Sequence, residues 1–245
     1  MIETYSIPRL SREKTIFHGI TSRQNGCSPA PFASLNVSFG VGDKPQNVSQ
    51  NRQQIKDHFG IKTLISTRQV HGKQVAIITE PQDSCEIDGF DAIICSVPDI
   101  GIMIQQADCQ AVLLYDPQKQ IVAGIHSGWQ GSVANIIGET INIMSVTFAT
   151  NPIDLVAGIS PSLGPCCAEF MHYQTELPST MHAFQPKPNY FDFWTISKNQ
   201  LMETGVLEDN IDVSGVCTKC SDQFFSYRRH KTTGRFCSVI GLRHG

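Results

Sequence analysis

The chain has 245 residues, enough for one large domain or two small ones, and no Pro/Gly/Ser-rich linker or charge block divides it, so a single domain over residues 1–245 is expected. With a formal net charge of −3, 17% charged and 40% hydrophobic residues, it has an ordinary core and no electrostatic basis for binding nucleic acid or an anionic membrane. No apolar run approaches the roughly 20 residues that span a bilayer, and the opening MIETYSIPRLSREKT lacks an apolar signal core, so a cytoplasmic protein is expected.

Taken in order, residues 15–20 read as a strand, and residues 24–31, with Asn-Gly and two prolines, as a turn-rich loop. A second strand is expected over residues 32–39, carrying Ser34 and Asn36. Residues 47–59 fit a helix with Val48, Ile55 and Phe59 on one side. Arg52 lies on it, either as a solvated charge or as a guanidinium able to grip an anion through two donors. Strands are expected at residues 64–67 and 74–79, with His71 in a hairpin turn between them. Asp91 precedes a buried strand, where it could anchor a ligand or end a turn.

The central stretch is Gly101 to Ser132. Two apolar runs, residues 111–115 and 121–125, flank Asp116-Pro117-Gln118-Lys119 and read as a β-hairpin. If Tyr115 pairs with Gln120, Cys109 falls opposite His126, and directly opposed residues share one face. Polar residues at the ends of apolar strands mark places where sites sit on rigid scaffolds. Beyond the hairpin, Ser132 reads as the N-cap of a helix over residues 133–146, whose free N–H groups beside His126 suit an anion. A strand at residues 153–159, a helix at 192–204 and strands at 211–217 and 237–242 complete the chain. Between them lies a basic run, Arg228, Arg229, His230, Lys231 and Arg235, in which Arg235 after Gly234 is the best candidate for an anion contact. Strands and helices interleave without a βαβ rhythm, so the fold class is mixed α/β rather than doubly wound.

Nine cysteines of irregular spacing do not suggest a disulfide framework. Cys85, Cys95 and Cys237 are expected to pack as small apolar residues. Cys217 and Cys220 form a lone CxxC with no evident second pair of zinc ligands, and of the adjacent Cys166 and Cys167 a strand could turn only one into a site.

His71, Cys109 and His126 together would make an open zinc set, three ligands with a fourth position for water, whose pKa zinc lowers toward ~7. Asp108 would be a carboxylate partner of that set or a proton carrier. The same residues could instead be a nucleophile, Cys109, with His126 as base and His71 orienting or stabilising. A four-copper oxidase is set aside, because such enzymes use repeated His-x-His pairs and none of the eight histidines are so spaced.

Gln69-Val70-His71-Gly72, Ala107-Asp108-Cys109 and His126-Ser127-Gly128-Trp129-Gln130-Gly131 resemble the YfiH/YlmD family, once labelled polyphenol oxidase or laccase-domain proteins. The resemblance also takes in HGITSRQNGCS, PFASLN, Asn51-Arg52, Gly158 through Gly164 and FFSYRRHKTTGR; the chain departs from the family's usual residues at Ala111, Ser127, Gln130 and Ala168. It implies a four-layer α/β/β/α fold with mixed sheets, related to cysteine hydrolases. It implies a catalytic zinc ion on His71, Cys109 and His126; Cys109, His126 and Asp108 are the candidate catalytic residues. The implied activity is phosphorolysis of adenosine, inosine and methylthioadenosine, with adenosine deamination at the same site. The other family role is an amidase that removes a misplaced amino acid such as L-serine from UDP-N-acetylmuramate. Arg52 and Arg235 are the candidate phosphate contacts, and Ser34 and Asn36 are candidates for the ribose hydroxyls, since each can donate and accept. The expected partners are thus a purine nucleoside and phosphate, with neither nucleic acid nor membrane, and a monomer is expected.

Overall fold

Hydrophobic runs buried on both faces dictate the architecture, seen in a computed structural model that describes residues 2–244. Its strands are β1 (Thr4–Tyr5), β2 (Ile16–Thr21), β3 (Thr63–Arg68), β4 (Val75–Ile78), β5 (Glu86–Asp88), β6 (Ala92–Cys95), β7 (Ile100–Gln106), β8 (Gln110–Asp116), β9 (Ile121–Ser127), β10 (Val156–Ile159), β11 (Ile211–Val213) and β12 (Phe236–Leu242). The helices are α1 (Pro45–Phe59), α2 (Trp129–Val133), α3 (Ile136–Phe148), α4 (Tyr173–Glu176) and α5 (Phe193–Glu203). One mixed sheet runs β1-β2-β12-β7-β3-β5 and the other β11-β10-β8-β9-β6-β4.

The strand period of two sorts the side chains into layers. On β8, Leu113 and Tyr115 meet Ile20, Ile65, Ile102 and Ile240 between the sheets. The alternate residues Val112 and Leu114 pack outward against Ile137, Ile141 and Met144 of α3 and Leu201 of α5. The outer face of the other sheet, through Phe17, Leu64, Met103 and Val239, packs against Ile55 and Phe59 of α1. The order is therefore helix, sheet, sheet, helix. No helix among the described residues is long and apolar enough to cross a membrane.

Several local expectations give way to tertiary structure. The β8–β9 register pairs Asp116 with Ile121 and Ala111 with His126, two residues from the expected pairing of Tyr115 with Gln120. An even shift preserves the face, so Cys109, just before β8, stays on the same side as His126. β3 and β4 do not form a hairpin; they belong to different sheets, and His71 sits on the segment that crosses between them. Residues 32–39 form no strand. They are held as a loop by the buried Asn51, whose Nδ2 donates to the carbonyls of Ser34 and Asn36. The helix expected at residues 133–146 is split: Gly128 precedes α2, and Asn135, accepting from the Gly138 N–H, caps α3. Ser132 lies inside α2 and donates back to the Gly128 carbonyl. Cys95 and Cys237 are buried as expected, whereas Cys85 is exposed.

Candidate metal centre and active site

Cys109 leaves the end of the β8–β9 hairpin just as the ladder stops, and His126 occupies the last turn of β9 on the same inter-sheet face. The crossing segment carries His71 over them with a positive φ of 61°. Donor atoms of His71, Cys109 and His126 all lie within 4.8 Å of one another. Cys109 Sγ is 3.9 Å from His71 Nε2, and the two imidazole rings meet edge-on at 4.8 Å between centroids.

Asp91, fully buried at the start of β6, organises this trio. Its Oδ1 lies 2.8 Å from His126 Nδ1 and also accepts the His71 N–H, while Oδ2 accepts those of Val70 and Gly72. A carboxylate that only accepts requires His126 Nδ1 to carry a proton, which leaves Nε2 as a free lone pair. Burial would raise the Asp91 carboxyl, but the bonds from His126 and Gly72, the His126 charge and the His71 N–H hold it below the usual range. Burial would also raise the Cys109 thiol, yet the charge of His126, with hydrogen bonds from both histidines, brings it down to about 6. Burial would lower His126, and the Cys109 thiolate together with Asp91 lifts it to about 9. Both shifts run toward a charged Cys109–His126 pair, and a metal taken up by the thiolate would displace the proton from His126 Nε2. Two imidazoles and a thiolate on one point fit a single zinc-like ion with an open position, and the carboxylate–histidine partner is the usual support for such a ligand.

Gly128 explains the closeness. A Cβ there would sit 2.9 Å from the His71 ring and 3.1 Å from Cys109 Sγ.

Two cavities share His71 and Cys109 in their walls. One of about 420 Å³ is walled by Trp129, Phe170 and Phe193 as well as His71 and Cys109. The other, of about 700 Å³, adds His126 and carries Gln69, Glu86, Gln105 and Arg235 in its wall.

Of the residues expected at the site, Arg235 lines this larger cavity, its guanidinium braced on the carbonyls of Thr233 and Gly234. Arg52 does not match its expected role. Its donors go to the Val37 carbonyl, Ser66 and Glu86, the last at 2.6 Å. Ser34 is also spent locally, accepting from the Gly26 N–H and donating to the Arg23 carbonyl. Asn36, fully buried, donates to Asp43 and accepts the Arg235 N–H, so it acts through Arg235 rather than on a ligand. Asp108 lines the smaller cavity, but its carboxylate accepts from Thr218 and from the Arg228 N–H, and the carboxylate on the trio is Asp91. The aromatic wall of Trp129 and Phe170 carried no sequence signal, because it joins residues from distant segments.

The family model described as multi-copper polyphenol oxidoreductase laccase matches residues 17–243. The chain is 32% identical to "Purine nucleoside phosphorylase YfiH" of Escherichia coli, over 96% of this chain and 98% of that one. It is 29% identical to "Purine nucleoside phosphorylase YlmD" of Geobacillus stearothermophilus, over 92% and 89%. The crystal structure of the latter superposes with a TM-score of 0.87 at 27% identity, covering 94% of this chain and 93% of that one. A Bacillus licheniformis YfiH structure also gives 0.87 at 27% identity, covering 93% of each chain.

Proposed function

The chain belongs to the YfiH/YlmD family, described as multi-copper polyphenol oxidoreductase laccase, and from that premise we propose that it is a zinc-dependent purine nucleoside phosphorylase that also deaminates adenosine. The observation that carries this reading is the convergence of His71, Cys109 and His126 where an aromatic cavity meets an arginine-bearing one. Zinc bound to these three side chains would supply a Lewis acid beside the reacting bond. No His-x-His pair is present to build a multi-copper centre.

The residues divide the work by chemistry. Trp129 and Phe170, 6.3 Å apart and steeply inclined, offer apolar faces to a flat purine. Arg235 offers a guanidinium to phosphate from the adjoining cavity. In phosphorolysis a phosphate oxygen bonds to C1′ as the C1′–N9 bond breaks, giving ribose 1-phosphate and the protonated base. In deamination a water oxygen adds at C6 of adenine and ammonia leaves. His71 and Cys109 line both cavities and His126 the larger one, so the two reactions share one centre while only the first needs Arg235. Asp91 fixes the His126 ring, and Asn36 fixes the Arg235 backbone.

The test is to incubate the protein with adenosine, inosine and methylthioadenosine, with and without phosphate, and to follow base, ribose 1-phosphate and inosine by chromatography. Phosphate-dependent release of base is expected. No release from any nucleoside, with serine released from UDP-N-acetylmuramoyl-L-serine instead, would replace this reading with the amidase.

A further inference from the structure

The trio does not absorb four cysteines that lie behind the aromatic cavity, beside the Leu163 and Ala168 that line it. Cys166 and Cys167 follow Gly164-Pro165 in a tight turn after β10, closed by the Cys167 and Ala168 N–H groups on the Gly164 carbonyl. In a turn, unlike a strand, successive side chains can converge, and here both do. Cys217 and Cys220 lie on a second turn, joined to the first by the Thr218 N–H on the Ser162 carbonyl. All four sulfurs lie within 4.8 Å of one another, with Cys220 Sγ 3.8 Å from Cys166 Sγ and 3.5 Å from Cys167 Sγ.

We propose that Cys166, Cys167, Cys217 and Cys220 hold a second, structural zinc ion that clamps these two turns together. Four thiolates at about 2.3 Å from a tetrahedral zinc lie about 3.8 Å from each other, and the 3.5 and 3.8 Å separations of Cys220 Sγ, within a set no wider than 4.8 Å, suit that arrangement. A multi-iron cluster spreads its thiolates wider, so the set fits a single ion. The buried Cys217 sulfur also receives the Gly164 N–H at 3.3 Å, a bond that favours a thiolate. Gly164 is required for that approach, since a Cβ there would meet Cys217 Cβ at 3.0 Å and the Trp194 ring at 2.8 Å. Both turns are braced from outside: Arg228 donates to the Cys167 carbonyl, and Arg229 donates to those of Thr218 and Lys219. Zinc binding here releases each thiol proton to solvent and changes no oxidation state.

The clamp serves the neighbouring cavity. Phe170, in its wall, follows Cys167 by three residues, and Thr218, inside the CxxC, holds Asp108 next to Cys109.

The test uses the full chain carrying Cys109→Ala, which removes the catalytic ligand set and isolates the quartet. Grown with zinc and purified without chelator, it is expected to retain one zinc per chain by elemental analysis. X-ray absorption is expected to show four sulfurs at about 2.3 Å. Adding Cys217→Ser and Cys220→Ser is expected to bring the zinc to zero. Should that triple variant fail to fold, cobalt loading of the Cys109→Ala chain decides, with intense thiolate charge-transfer and tetrahedral bands expected. A Cys109→Ala chain without zinc and without those bands, one holding iron, or one with the four cysteines in disulfides by mass spectrometry would each overturn the proposal. The catalytic reading stands or falls separately, on loss of zinc from the unmodified chain when Cys109 is changed.

Discussion

One carboxylate, Asp91, fixes both histidines of the candidate centre: its Oδ1 is 2.8 Å from His126 Nδ1 and 2.9 Å from the His71 N–H. Asp91→Asn replaces an obligate acceptor with a group that can also donate, so the His126 proton can move to Nε2, the nitrogen a metal needs. Zinc affinity at the trio is expected to fall about 10- to 100-fold. Competition with a chromophoric chelator, in a chain whose quartet cysteines are changed to serine or accounted for separately, measures it. Unchanged affinity would remove Asp91 from the site.

Arg52 and Arg235 are predicted to separate folding from phosphate binding. Arg52 lies 2.6 Å from Glu86, both side chains being mostly buried. Arg52→Ala leaves Glu86 without its cation, though still accepting from Ser66 and Gln105, and removes the donor to the Val37 carbonyl, costing about 1–3 kcal/mol of stability. Its effect on phosphorolysis and deamination is expected to be equal. Arg235→Ala is expected to raise the KM for phosphate at least about tenfold, the effect of losing a charge-assisted hydrogen bond, with deamination nearly unchanged. Arg235→Lys should recover only part, because an ammonium lacks the planar fork. Steady-state kinetics of both reactions decide it, and parallel losses in the Arg235 variants would remove the phosphate role.

The central hairpin was legible because Ala111–Tyr115 and Ile121–Ile125 bracket an Asp-Pro turn, and its error of two residues in register did no harm to the shared face. His71 was legible as a residue but not as a position. Strands β3 and β4 look like hairpin partners in the sequence, and only pairing with β7 and β6 in separate sheets makes the crossing segment. Asp91 showed no more than a polar residue before an apolar strand; its meaning lies in three backbone N–H groups about twenty residues upstream. Ser34, Asn36 and Arg52 are committed within the fold for a common reason. Their polarity suits a ligand, but a loop without a strand ladder needs its own side-chain hydrogen bonds, and these residues supply them. The cysteine quartet was hidden because its halves are separated by about fifty residues and its adjacent pair was judged as if on a strand.

Gly128 should be sensitive to a single methyl group. Its φ of −78° suits any residue, so Gly128→Ala carries no backbone strain. The new Cβ would nevertheless press on the His71 ring at 2.9 Å and on Cys109 Sγ at 3.1 Å. Phosphorolysis is expected to drop by about 10²-fold, as small misplacements at a reacting centre do, while the thermal midpoint moves little. Full activity in a folded Gly128→Ala chain would show that the three donors need not be held this close.

His18 gives the fold a pH dependence of its own. Its Nε2 accepts the Ile7 N–H at 3.0 Å, a bond that only the neutral ring can make. Burial lowers its pKa from 6.5 to about 4. Between those values the unfolded chain binds more protons, so stability is fully present above pH 6.5 and is lost as pH falls toward 4. From pH 7 to pH 5 this one ring should cost about 2 kcal/mol. His18→Gln keeps an acceptor for the Ile7 N–H but has no proton to gain in that range. Urea unfolding of both proteins at pH 7 and pH 5 should therefore show the variant losing about 2 kcal/mol less than the parent over that interval. The other titrating groups, His126 among them, are common to both chains and cancel in that difference. Equal losses in the two would mean that the ring is protonated in the folded chain and that the Ile7 N–H is satisfied elsewhere.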